Sequence, residues 1–233
     1  MGEIKMKLLQ HAVFALAAVL CLSAVNVSAE TLPYFSLKGS HSQIKTDNFD
    51  YDNALGAKWA VGASVLQESV GSLRAELEYS GVSASYFEFS GRDNGDPHSN
   101  EDRASHLDSK TLFVNMYFDV NTGTIFTPYI GAGIGVSNAS ADYNFQSGRY
   151  SIPESRVSDW KLGWNVGAGV GVRLTQQLTL DLGYRYTDLG HFSGMAGLYK
   201  EDYAASSTWR TQEEKLDFDL TSHEVVLGLR YTF

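Results

Sequence analysis

Cysteine is almost missing. Cys21 is the only one in 233 residues, and it lies in an apolar stretch near the N-terminus. Disulfide staples, the usual support of small exported domains, are therefore excluded. Proline is scarce, at four residues, so strand-like segments can run long without a break. No apolar run after residue 30 approaches the roughly 20 residues that a membrane-spanning helix needs. Basic residues are outnumbered, with 18 Lys and Arg against 27 Asp and Glu. That balance argues against nucleic acid as a partner, because phosphates call for a basic face. His41, His98, His106 and His191 show no metal-ligand spacing, and no glycine-rich phosphate loop opens a helix. Neither a metal nor a cofactor is expected.

What is present begins with a leader. Lys5 and Lys7 precede the apolar stretch "AVFALAAVLCLSAV", and "NVSAE" then places small residues at Val27 and Ala29 before Glu30. Basic, apolar and small, in that order, predict a secretory signal peptide over 1–29 and a mature domain over 30–233. The lipoprotein pattern fails on Leu20, which is too large for the position before Cys21. A retained N-terminal anchor is the alternative, and the short apolar run disfavours it. The mature part would carry 16 basic and 26 acidic residues, a net charge of −10.

The rest of the chain alternates with period 2, which marks strands with two unlike faces. Eight runs show it: 33–42, 55–65, 72–80, 111–120, 126–137, 161–174, 178–187 and 222–233. The third is the clearest, with Leu73, Ala75, Leu77 and Tyr79 alternating with Arg74, Glu76 and Glu78. The connections alternate as well. Those at 66–71, 121–125 and 175–177 are short, while 43–54, 81–110, 138–160 and 188–221 are long and polar. Eight strands, with short turns on one side and long loops on the other, predict an all-β, antiparallel transmembrane barrel. The turns and both chain ends would face the periplasm, and four long loops would face outward.

A soluble eight-stranded barrel would point its apolar face inward instead. The charges oppose that. One face collects Lys38, Lys58, Arg74, Glu76, Glu78, Asp119, Arg173, Asp181, Arg185, Glu224 and Arg230, a nearly balanced set suited to an enclosed ion-pair network. The aromatics also sort by height. Phe35, Phe118, Phe126, Tyr231 and Phe233 fall near the turn ends, and Trp59, Tyr79, Trp164, Tyr184 and Tyr186 near the loop ends. Two aromatic girdles around an aliphatic band are the interface belts of an outer-membrane barrel.

Two neighbouring runs place glycine at every second position, Gly131, Gly133 and Gly135 in one, Gly167, Gly169 and Gly171 in the other. With the apolar face on lipid, all six point into the lumen. An eight-stranded lumen is only just wide enough for side chains. The bare wall is expected to make room for Arg74, Glu76, Glu78, Arg185 and Arg230.

"PYIGAGIGVS" (128–137), "LDLGYRYTDLG" (180–190) and "SHEVVLGLRYTF" (222–233) together resemble the opacity-protein-like surface antigens. These are small bacterial outer-membrane barrels related in architecture to the membrane domain of outer membrane protein A. The resemblance implies the outer membrane as location, with lipid and lipopolysaccharide around the barrel. It also implies that Leu229, Tyr231 and Phe233 form the terminal signal read by the barrel-assembly machinery. It implies adhesin, antigen or weak-porin roles, and it implies location and fold more firmly than activity.

Nothing in the sequence converges as a catalytic set. Ser222, His223 and Glu224 are adjacent, but on a strand His223 points away from the other two. The four loop segments 42–53, 80–109, 137–159 and 188–219 hold 19 acidic and 8 basic residues. Within the last, Met195, Leu198, Tyr199, Tyr203 and Trp209 interrupt a polar sequence and are candidates for anchoring a partner. Packing on one another, or resting in the lipopolysaccharide layer, explains them equally well. Three expectations follow: a surface protein that binds a host or envelope ligand through its loops, a narrow ion or solute channel, or an envelope-stabilising barrel. The chain ends at Phe233 with no peptidoglycan-binding domain after the barrel, which weakens an anchoring version of the third.

Overall fold

A computed structural model describes residues 31–46, 49–83, 87–91, 101–147, 150–198 and 213–233, with the outermost strand portions described as backbone. Nine strands follow one another: β1 Leu32–Thr46, β2 Phe49–Gln67, β3 Gly71–Ser83, β4 Phe87–Gly91, β5 Glu101–Val120, β6 Phe126–Ser147, β7 Tyr150–Arg173, β8 Leu178–Leu198 and β9 Glu213–Thr232. Neighbours in the chain pair antiparallel except β3 and β4, β1 also pairs with β9, and β3 pairs with β5. Eight strands thus close a barrel, and β4 is a short addition beside the outer part of β5.

The turns on one side are as tight as the sequence suggests. Glu68 and Gly71 exchange backbone hydrogen bonds. Gly123 sits at φ 69°, a conformation that favours glycine, and its N–H donates to Asn121 Oδ1 at 3.1 Å. Thr175 Oγ1 accepts from the N–H groups of Gln177 and Leu178. The other side departs from expectation. A spanning strand needs about 9–11 residues, yet β6 has 22 and β7 has 24. Much of what the sequence suggested as long loops is strand that projects beyond the bilayer. The physical reason is that no lipid imposes an apolar face on strands beyond the bilayer. Alternation disappears from the sequence while the hydrogen-bond ladder continues.

The projecting strands do not remain one barrel. The β7–β8 ladder ends at Trp164↔Asp188, β2–β3 at Leu55↔Ser83 and β1–β9 at Lys45↔Thr221. Beyond those points the wall divides. Among the described residues, the tip of β1–β2 pairs with no further strand, β4 to β7 continue as a sheet, and β8–β9 form a two-stranded ribbon that runs on to Leu198↔Glu213.

Alternation decides which side chains meet lipid. Leu37, Ile130, Ile134, Leu162, Val166, Leu182, Leu227 and Leu229 are exposed on the outside. Trp59 lies 5.8 Å from Tyr79, and Trp164 lies 5.5 Å from Tyr186, centroid to centroid, toward the outer rim. Tyr231 and Phe233 meet edge to face at the periplasmic rim. The odd member is Val136, which shares the outward parity yet is buried.

Candidate functional site: the lumen and its outer mouth

Arg74, Glu76 and Glu78 project inward from one face of β3, because that strand alternates them with Leu73, Ala75, Leu77 and Tyr79. A slip by one residue would turn all three toward lipid, at about 2–4 kcal/mol for an Arg near the midplane. Around them the lumen fills in tiers. Toward the periplasm, Arg74 grips Asp119 with two hydrogen bonds of 2.5 and 2.9 Å. Arg230 grips Asp181 in the same way at 3.0 and 3.1 Å, and its Nη1 lies 3.9 Å from Asp119. In the middle, Lys38 Nζ lies 2.5 Å from Glu76 and 2.6 Å from Glu78. Arg185 also holds Glu78, and it donates to the Tyr117 hydroxyl at 2.9 Å. Toward the outside, Lys58 pairs with Glu224 at 2.8 Å.

Five cations therefore face five carboxylates, and the set is electroneutral. Neutrality matters because these side chains are almost wholly withdrawn from solvent, Glu78 being 1% exposed. A lone charge there would be very costly. Arg173 has the same parity but stands apart. It is exposed at the periplasmic rim and donates to the Thr124 carbonyl at 3.1 Å. As the last residue of β7 it lies where the lumen opens to water.

The paired glycines do leave a bare wall, for β6 and β7 set Gly131 opposite Gly167. What covers it directly is mostly tyrosine and asparagine. A Cβ on Gly131 would lie 2.2 Å from the Tyr117 ring, one on Gly169 2.5 Å from the Tyr129 ring, and one on Gly133 1.9 Å from Asn115 Oδ1. The arginine comes in the next layer. The Arg74 guanidinium stands 4.7 Å from the Tyr117 centroid and 5.4 Å from that of Tyr129, a cation–π arrangement. Tyr34 completes the cluster by donating to Glu76 at 3.1 Å. Sequence reasoning did not single out Tyr34, Tyr117 or Tyr129. The signal was there, since Tyr117 shares a face with Asn115 and Asp119, and Tyr129 with the glycines.

A second feature lies above the ion pairs. Ile44, Val82, Phe113, Leu189 and Leu220 point inward and are all less than a tenth exposed. They form an apolar cap in a lumen expected to be polar throughout. One cavity of about 30 Å³ lies among Lys38, Arg74, Tyr117, Tyr129, Asp181 and Arg185, and one of about 20 Å³ lies beneath the cap. Each is large enough to hold water.

Ser222 and Glu224 are buried in the lumen, and His223 faces outward, where its Nδ1 lies 2.6 Å from the Tyr184 hydroxyl. The three do not converge. Met195 and Leu198 lie on β8, opposite Lys215 and Glu213 of β9. Tyr199, Tyr203 and Trp209, the N-terminal segment 1–29 and His98 lie outside the described residues.

A closed eight-stranded wall with an aliphatic outer band, aromatic rims and a charged interior has one known setting, and the family comparison agrees. The family model for the outer membrane protein beta-barrel domain matches residues 12–233. The chain belongs to this family. It is a bacterial outer-membrane protein. Among curated relatives, the outer membrane protein PagN of Salmonella typhimurium is 30% identical over 124 residues, which covers 53% of this chain and 49% of PagN. The chain spans about half the length of the curated relatives it matches. Among solved structures, Neisserial surface protein A is 16% identical and covers 88% of this chain and 100% of its own, with a TM-score of 0.56. Ail, the attachment invasion locus protein of Yersinia pestis, solved with the heparin analogue sucrose octasulfate, is 15% identical over 88% of this chain and 100% of its own, with a TM-score of 0.50. Both share the barrel fold.

Proposed function

We propose that this member of the family works at the cell surface, binding a host or envelope ligand through its outward strands and loops, without catalysis. The observation that carries the reading is the contrast across the outer rim. Inside, five ion pairs and an apolar cap fill the lumen. Outside, strands project well past the aromatic belt and hold most of the chain's excess acid. PagN and Ail, with their outer-membrane and attachment names, support such a role. The ligand class differs from the polysulfated analogue seen with Ail. Nineteen acidic against eight basic residues in the outer segments favour a cationic partner. In this reading residues 1–29 are the export signal, and the exposed Leu229 and Tyr231 of the final strand, with Phe233 just after it, are the assembly signal.

The test is planar-bilayer conductance of the refolded protein beside a surface-binding assay of cells that display it. The expected result is a silent, folded barrel whose cells bind, and whose binding is lost when 188–221 is replaced by a short turn. Discrete openings that change with Arg74→Ala or Glu76→Ala would overturn this in favour of a channel.

A further inference from the structure

Between the apolar cap and the ion pairs lies a belt of hydroxyl groups. Ser42 of β1, Ser80 of β3, Ser109 and Thr111 of β5, Thr187 of β8 and Ser222 of β9 are each less than a tenth exposed. Three of them have clear partners. Ser42 donates to Glu224 at 3.4 Å, and Ser80 and Thr111 share a hydrogen bond of 2.6 Å. Ser109 Oγ and Ser222 Oγ have no hydrogen-bond partner among the described residues, although both atoms are shielded from solvent. A buried hydroxyl left unmet is costly.

These two hydroxyls line one cavity, the chamber of about 20 Å³ beneath the cap. Ile44, Val82, Phe113 and Leu189 give it an apolar roof, and the Lys58–Glu224 pair lies in its polar wall. The two serines come from opposite sides. In the closed ring of strands β5 and β9 stand four places apart, halfway round an eight-stranded barrel. Serine is among the shortest side chains, so neither can reach across the lumen to the other.

The chemistry of the chamber selects its occupant. An ion of either sign would be buried without compensation, because the five cations and five carboxylates already balance. An apolar molecule would leave both hydroxyls unmet. A neutral molecule that both donates and accepts meets every demand, since each serine hydroxyl can do either. Ser109, Ser222, Thr187 and Lys58 all line the chamber, and a buried water needs two to four such polar partners.

We propose that the chamber beneath the cap is a water site, in which a hydrogen-bonded bridge of water crosses the lumen from Ser109 of β5 to Ser222 of β9 and the apolar roof holds it apart from bulk solvent. The bridge joins opposite walls through neutral groups, above the tiers where ion pairs join them. It stands apart from the surface-binding reading and survives whether or not that reading holds.

A crystal structure of the refolded protein, at a resolution that shows ordered water, tests the site. The expected result is water density within hydrogen-bond distance of Ser109 Oγ and of Ser222 Oγ. The bridge should be broken in Ser109→Ala and in Ser222→Ala, each of which leaves the lumen charges in place. No density in the chamber, the two serines satisfied by rotated side chains, or a halide revealed by anomalous scattering after a bromide soak would each overturn the proposal. Water-oxygen magnetic relaxation dispersion in nanodiscs tests the roof. The long-lived water signal should be smaller in the double variant Ser109→Ala/Ser222→Ala than in the unaltered protein. Leu189→Ala, which thins the roof, should shorten the residence of the remaining water by about tenfold. Equal signals from the double variant and the unaltered protein would overturn an enclosed site.

Discussion

The lumen and the outer strands use the same β-ladder under opposite solvent rules. Within the membrane, the five buried cations each have a carboxylate partner. Beyond it, the ladder is released at three seams and charge of one sign accumulates. The difference teaches that enclosure, rather than strand structure, enforces electroneutrality. In water an unbalanced acidic surface costs little and sets the choice of partner.

The comparison breaks most sharply at Glu78. Glu78→Gln removes the shared partner of Lys38 and Arg185 and should destabilise the barrel by about 3–5 kcal/mol, read as a lower urea midpoint of unfolding from lipid vesicles. Next comes the lipid face. Leu227 lies halfway along β9 between His223 and Tyr231, so Leu227→Arg should cost roughly 2–4 kcal/mol in the same titration. The glycine wall follows. Gly169→Ala drives a methyl group toward the Leu182 carbonyl and the Tyr129 ring, at about 1–3 kcal/mol. Gly39→Ala, which meets nothing within 4 Å, should shift the midpoint by less than about 0.5 kcal/mol. A similarly small effect belongs outside. His191 and Asp219 are paired at 2.7 Å but both are about half exposed, so His191→Ala should change stability by under about 1 kcal/mol. An outer-strand substitution with an effect as large as that of Glu78→Gln would show that the two regions are not separate in the way described.

The membrane-embedded half was legible in the sequence because lipid and lumen impose opposite demands on alternate residues. Leu73 against Arg74, or Leu227 against Glu224, can be read only one way. The charged set was legible for the same reason, and Arg173 strayed because parity gives a face but not a depth. The inward tyrosines were obscured by their dual character. Tyr117 and Tyr129 fill a glycine wall from the lumen side, while Tyr184 sits in a rim, and composition does not separate the two. The apolar cap was hidden because Ile44, Val82, Leu189 and Leu220 fall in segments that read as loop. The outer strands, β4 included, were invisible to periodicity, since their stability comes from backbone hydrogen bonds and neighbouring strands, which leave little trace in side-chain type.

The β1–β9 pairing has a consequence in time. Tyr34 lies opposite Thr232, and the N–H of Phe233 donates to the Pro33 carbonyl, so the first strand finds its second partner only in the last. Until that seam forms, both terminal strands carry an open edge, which a bilayer does not tolerate. Folding is therefore concerted and slow, dominated by the contact most distant in sequence. A barrel with that seam unformed is therefore strongly disfavoured in the bilayer.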